Sequence, residues 1–116
     1  MNDQMFSFEG LDVYQRSIEF LALSVQIVEA LPRGHAGLAD QLRRAALSIP
    51  LNIAEGAGRA GDRDAAHHRS IARGSAMECA AILDACRVLS IVDDERLQHG
   101  RALLIRMVQM LSKLCR

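Results

Sequence analysis

The 116 residues suit one domain with its own core. Half are hydrophobic, yet only Phe6, Phe8, Tyr14 and Phe20 are aromatic. This composition, with strand signals nearly absent, suits helices packed closely through Ala and Leu better than a β-sandwich. Fourteen basic groups balance fourteen acidic ones, which argues against a strongly basic nucleic-acid binder, and no run approaches the ~20 apolar residues of a membrane span.

Residues 1–10 read as an irregular lead-in that Phe6 and Phe8 can pin to the rest. Helix one is expected over residues 11–31. Val13, Tyr14, Ile18, Leu21, Val25 and Val28 recur at helical spacing and read as its core stripe. A second stripe, Phe20, Leu23 and Ile27, is offset by ~100°. A helix in a monomeric bundle needs one apolar stripe, so the second is assigned to a contact between copies of the chain. Exposure of that stripe, or cover by the N-terminal segment, is the other way to account for it.

The stretch LPRGHAG at residues 31–37 carries a proline and two glycines and reads as a turn. Helix two follows over 38–60. Leu42, Ala45, Ala46, Ile49, Ile53 and Ala57 form its inner face, while Leu47 and Leu51 sit on its back and extend the proposed contact between copies. Pro50 removes a backbone donor and crowds the carbonyl of Ala46, so a kink is expected there. Two short helices with Ser48 as the second N-cap is the rival. Beside this face lie Asn52 and Glu55. They form either a solvated stripe or a polar network, with Glu55 bonded to Arg59 or Arg44 at helical contact spacing. Gly61 then suits a helix stop and Asp62 the next N-cap.

Helix three is expected over 63–89, with Ile71, Ser75, Cys79, Ile82, Cys86 and Leu89 inward and several alanines keeping it slim. Gly74 in its middle costs ~1 kcal/mol relative to Ala. Tight packing against a neighbour near Gly56 is the expected compensation. Glu78 borders the apolar face as a candidate for a buried ion pair with Arg43 or Arg44. Asp93 is a good N-cap for helix four, over 93–114, whose Leu and Met residues cluster on one side. Four helices with short connections make an all-α, up-down-up-down antiparallel four-helix bundle, one domain over 1–116.

Few groups suggest chemistry. His68 and Cys79 are eleven residues apart, or about 16 Å along a helix, too far to share a metal. Cys79 and Cys86 are about 10 Å apart by the same rise and cannot pair within one helix. Neither a phosphate loop nor a metalloprotease motif is present, and Gly56 to Gly58 follows no strand. No catalytic residue, metal or cofactor is expected, and an enzyme is disfavoured. Three cysteines in an odd, sparse set, and an N-terminus with Asp3 and Glu9 but no apolar run, predict a cytoplasmic protein without a signal peptide.

The stretch LRRAALSIPLNIAEGAGR from Leu42 to Arg59, followed by GSAMEC at residues 74–79 and preceded by FEGLDVYQ at 8–15, resembles one family. It is the four-helix-bundle family encoded in intervening sequences of bacterial 23S rRNA genes, related to the accessory variability determinant of diversity-generating retroelements. The resemblance spans roughly residues 6 to 90. It singles out Arg44, Pro50, Asn52, Glu55, Gly56, Gly74 and Glu78 within the matching motifs. One departure stands out: the family's usual aromatic residues early in helix three are replaced here by Ala66, His67 and His68. The resemblance implies a homo-oligomer, a pentamer, with RNA or a nucleic-acid enzyme such as a reverse transcriptase as partner.

In an up-down-up-down bundle the helix two–three turn and the C-terminus share an end. That end gathers Arg59, Arg63, His67, His68, Arg69, Lys113 and Arg116. In a ring these would make a basic rim able to hold phosphates, although ordinary solvated charge accounts for them equally well. The expected function is a non-catalytic, RNA-associated accessory protein. The alternative is a ring-shaped protein-binding scaffold that touches no nucleic acid.

Overall fold

The computed structural model describes residues 5–115. A single 3-10 turn, Ser7–Gly10, precedes four α-helices: α1 Asp12–Ala30, α2 Ala36–Ala57, α3 Asp62–Leu89 and α4 Asp94–Leu114. No strand occurs among the described residues. Arg116, one of the expected rim residues, lies outside them.

Local chemistry accounts for the helix ends. Gly34 adopts φ 97°, a left-handed conformation that glycine takes at no steric cost, and it closes the α1–α2 turn early enough for α2 to begin at Ala36. At the other end of α2 the Gly58 N–H donates to the carbonyls of Ala54 and Glu55. Asp62 is not the N-cap of α3, as expected; Gly61 holds that position, and Asp62 and Asp64 occupy the first turn, where they complement the helix dipole. Asp93 does cap α4: its carboxylate accepts from the Arg96 N–H at 3.0 Å and from the Arg96 guanidinium at 2.7 Å. The side-chain bond to Arg96 is the main cause holding this carboxyl below the usual range, and the backbone bond adds to it. Ser90 ends α3 in a left-handed conformation at φ 56°, and the next N–H, that of Ile91, returns to the Cys86 carbonyl.

Pro50 lies inside α2, buried, and the helix continues through it. The division into two short helices does not occur. Proline is accommodated because its missing donor leaves one carbonyl unserved within a helix held on both sides by neighbours.

Contacts run α1–α2, α2–α3, α3–α4 and α4–α1, with none across the diagonals. Side-chain pairs show the directions. Asp12 meets Arg106 and Glu19 meets His99, so α1 and α4 are antiparallel. Asn52 meets His68 while Ser48 meets Ser75, which makes α2 and α3 antiparallel. Arg73 meets Ser112, and Arg87 meets Asp94. The long axis, 44 Å, matches the roughly 42 Å of the 28-residue α3.

The core corrects the sequence-based assignment of α1. Phe20 and Ile27 are fully buried and Leu23 nearly so, all within one copy of the chain, so these three cannot be a surface between copies. The stripe assigned to the core, by contrast, leaves Ile18 41% and Val25 50% exposed. Two serines hide the true core stripe. It runs Val13, Ser17, Phe20, Ser24, Ile27 at alternating spacings of four and three. Ser17 and Ser24 are buried without cost in unpaired groups, because their hydroxyls donate to the carbonyls of Tyr14 at 2.6 Å and Leu21 at 2.7 Å in the preceding turn.

In α3, Cys79, Ile82 and Cys86 are buried as expected and are joined by Ala72, Ala76 and Leu83, while Ile71 and Leu89, expected in the core, are exposed. In α4, Leu97, Leu103, Leu104, Met107 and Leu111 are buried as expected. Glycine placement is also corrected. A Cβ on Gly74 would meet nothing within 4 Å, so no neighbour packs tightly there. The close approach is at Gly100, where a Cβ would lie 2.8 Å from Leu83 Cδ1 and 3.3 Å from Phe20 Cε1. Ahead of α1, the Phe8 ring sits edge-on to Tyr14 with centroids 4.9 Å apart and anchors the 3-10 turn, whereas Phe6 stays exposed.

Candidate functional site

The α2–α3 interface carries a continuous polar seam. Asn52 Nδ2 donates to the Ser48 carbonyl at 2.9 Å and to Ser48 Oγ at 3.1 Å. Its Oδ1 is therefore turned to α3, where it lies 3.0 Å from His68 Nδ1. An amide oxygen can only accept, so His68 Nδ1 is the donor in this bond. Ser75 Oγ donates to Ser48 Oγ at 2.9 Å and extends the seam upward. Downward, His68 Nε2 is 3.6 Å from Glu55 Oε2, which accepts from Arg59 at 2.9 Å. Arg59 Nε in turn faces Asp64 at 3.5 Å.

Gly56 makes the seam possible. A Cβ there would stand 3.2 Å from the Ala65 carbonyl oxygen and 3.4 Å from His68 Cβ. Any side chain would push α3 away and lengthen the bond between Asn52 and His68. Of the two readings of Asn52 and Glu55, the network is found: Glu55 takes Arg59, not Arg44. Both Glu55 and Arg59 are exposed, so their pair contributes at most about 1 kcal/mol. The sheltered bonds among Asn52, His68, Ser48 and Ser75 contribute about 1 kcal/mol each. Glu78 departs from expectation. It is exposed and has no ion pair among the described residues, while Arg43 pairs with Asp40 at 3.0 Å.

The seam joins α2 to the first half of α3, which carries several of the residues expected at the rim. Arg63 and Lys113 are exposed and have no ionic partner among the described residues. Arg69 lines a recess at the end of the bundle with Leu11, Val13, Ala57 and Leu114. Arg73, which sequence reasoning did not place here, reaches α4 and donates to Ser112 Oγ at 2.7 Å. Its spacing of four from Arg69 is the signal that could have found it. The other expected members differ. Arg59 is exposed but paired with Glu55 and Asp64, His68 is committed to Asn52, and His67 is exposed with its ring 5.8 Å from that of His68.

No group of three His, Cys, Asp or Glu that could hold a metal occurs among the described residues. Cys79 and Cys86 are free and buried. Burial, with a smaller contribution from the charge of Glu78, pushes the Cys79 thiol up to about 12, and burial likewise raises Cys86. Such thiols stay protonated and pack as small apolar groups. No helix among the described residues is long and apolar enough to cross a membrane.

The outer surface is uneven. Ile18 and Val25 of α1 and Leu47 and Leu51 of α2 are exposed. On α3 and α4, Met77 and Ile105 are exposed beside a recess of about 210 Å³.

A family model described as 23S rRNA-intervening sequence protein matches residues 9–113. No curated protein matches the chain. The fold is similar to that of a protein of unknown function from the S23 ribosomal protein family of Bacteroides thetaiotaomicron. The TM-score is 0.83 at 20% identity, over 90% of this chain and 98% of that one.

Proposed function

The chain belongs to the 23S rRNA-intervening sequence protein family, and we propose that it is a non-catalytic, self-assembling accessory protein that holds nucleic-acid phosphates at the basic end of its bundle. What supports this reading is that Arg63, Arg69 and Arg73 on the first half of α3, and Lys113 near the end of the antiparallel α4, have no ionic partner among the described residues. Cations left unneutralised on a chain of zero net charge are the groups free to displace counterions from a phosphate backbone. Self-assembly, as the pentamer implied by the resemblance, repeats that group around one rim and multiplies weak contacts. Unpaired thiols at Cys79, Cys86 and Cys115 fit a reducing cytoplasm.

Fluorescence anisotropy with a structured RNA tests this. If three phosphates are contacted per copy, affinity falls about 40-fold between roughly 50 and 200 mM salt. Arg63→Glu with Lys113→Glu removes most binding and flattens the salt slope. Absence of binding at low ionic strength, or an unchanged slope in the double variant, refutes the nucleic-acid reading. The pairing of Arg59 with Glu55 and Asp64, which dilutes the rim, favours the second reading in that event: a scaffold that binds another protein, such as a nucleic-acid enzyme, directly.

A further inference from the structure

We infer that the basic end takes unpaired nucleotides, one base entering an apolar recess where the four helices meet at that end; this rests on the phosphate binding proposed above. The recess holds about 130 Å³. Every helix contributes to it: Val13 from α1, Ile53 and Ala57 from α2, Arg69 from α3, and Leu111 and Leu114 from α4. Val13, Ile53 and Leu111 are buried and belong to the core, while Ala57 and Leu114 are exposed at its edge. The core is thus left open at this end, and its opening is apolar.

Arg69 is the one polar side chain among the residues lining the recess. It is half-buried and has no hydrogen bond or ion pair among the described residues. Further cations stand close by along the chain. Arg73 is one helical turn farther on α3, Arg63 lies about 9 Å back along the same helix, and Lys113 precedes Leu114. An apolar recess with an unpaired guanidinium beside it, and more positive charge around it, suits a flat ring joined to an anion. A nucleotide has that form. The guanidinium plane can lie against the face of the base, as arginine does with unstacked bases in RNA recognition, while the other cations hold phosphates.

The size admits one base. A site for a drug-sized molecule starts at roughly 300 Å³, well above this volume. The lining side chains offer no amide or hydroxyl to read a base edge, so little preference among bases is expected. In an A-form duplex every base is stacked and paired, and seating one would first require its extrusion. Phosphate contact alone works the other way. A duplex carries denser charge than a single strand and binds a bare cationic surface more tightly. Strand preference therefore separates a seated base from cations that meet phosphates only.

Fluorescence anisotropy at low ionic strength compares three labelled RNAs of equal length: a single strand, its duplex, and the single strand with abasic sites. Removing roughly 60 Å² of apolar base surface from water is a gain of about 10-fold. The intact strand is therefore expected to bind about 10-fold tighter than the abasic one, and tighter than the duplex. Ala57→Leu fills the recess from an exposed position and removes the difference between intact and abasic strands. Arg69→Lys keeps the charge, loses the plane and reduces that difference. Circular dichroism checks helical content, and Ala57→Met is the second filling variant should the first lose its helical signal. Equal affinity for intact and abasic strands, or preference for the duplex, overturns the seated base and leaves the phosphate reading standing. A difference that survives Ala57→Leu also overturns it, since the base then lies elsewhere. Absence of binding by all three RNAs removes both this inference and the reading on which it rests.

Discussion

Gly74 and Gly100 lie within adjacent helices, and replacing each by alanine is expected to give opposite results. Alanine in a helix interior is favoured over glycine by about 0.8–1 kcal/mol. At Gly74 nothing lies within 4 Å of the added carbon, so the full gain is realised. At Gly100 the carbon would stand 2.8 Å from Leu83 Cδ1, 3.3 Å from Phe20 Cε1 and 3.4 Å from Leu23 Cδ2. All three side chains are buried, so retreat means moving into occupied core. Overpacking of this kind costs about 1–3 kcal/mol, which equals or exceeds the helical gain. With about 2 cal/mol/K of unfolding entropy per residue, 1 kcal/mol shifts the midpoint of this chain by about 4 °C. Thermal unfolding followed by circular dichroism should place Gly74→Ala roughly 3–4 °C above the unaltered chain and Gly100→Ala at or up to about 8 °C below it. Equal stabilisation by both would refute the close approach of α1, α3 and α4 at Gly100. A loss at Gly74 would mean that a neighbour packs there after all.

Three further outcomes follow from the packing. Phe20→Ala should cost about 3–5 kcal/mol in chemical unfolding, independent of protein concentration, whereas Ile18→Ala, at an exposed site, should cost under about 1 kcal/mol; a mild Phe20→Ala would return that side chain to the surface. Removal of the seam acceptor by Asn52→Ala strands His68 Nδ1 at a largely buried position and should cost about 1–3 kcal/mol, read from the urea midpoint. Cys79 should resist a thiol reagent until the protein unfolds, while the less buried Cys115 reacts in the native state. Because the unfolded Cys79 thiol ionises near 9.0 and the native one only near 12, its contribution is complete below pH 9 and is lost as pH rises toward 12; a stability that is flat over that range would contradict its burial.

Much of the site could be read in advance. The spacing of Asn52, Glu55 and Arg59 predicted contacts along α2, and the structure adds what spacing cannot hold: the partner on α3. His68 was visible only as a basic residue, yet the approach allowed by Gly56 makes it the bridge between the helices. Glu78 was misjudged for the converse reason. Its position beside an apolar face suggested burial, but the turn of α3 carries it to the outside. Arg59 looked like a rim cation because its acidic neighbour Asp64 belongs to the next helix and meets it only once the chain has turned.

Periodicity, the breakers at residues 32–37 and 58–61 and the cap at Asp93 were sufficient for four helices and their order, since each of those signals acts within a turn or two of chain. Which stripe of α1 points inward was a different matter. Both stripes are apolar, and the inner one is interrupted by Ser17 and Ser24, whose hydroxyls are satisfied by their own helix. Nothing local separates a self-bonded serine from a solvated one. The choice was made by the positions of α2 and α4, which close over Phe20 and Ile27 and leave Ile18 and Val25 facing outward.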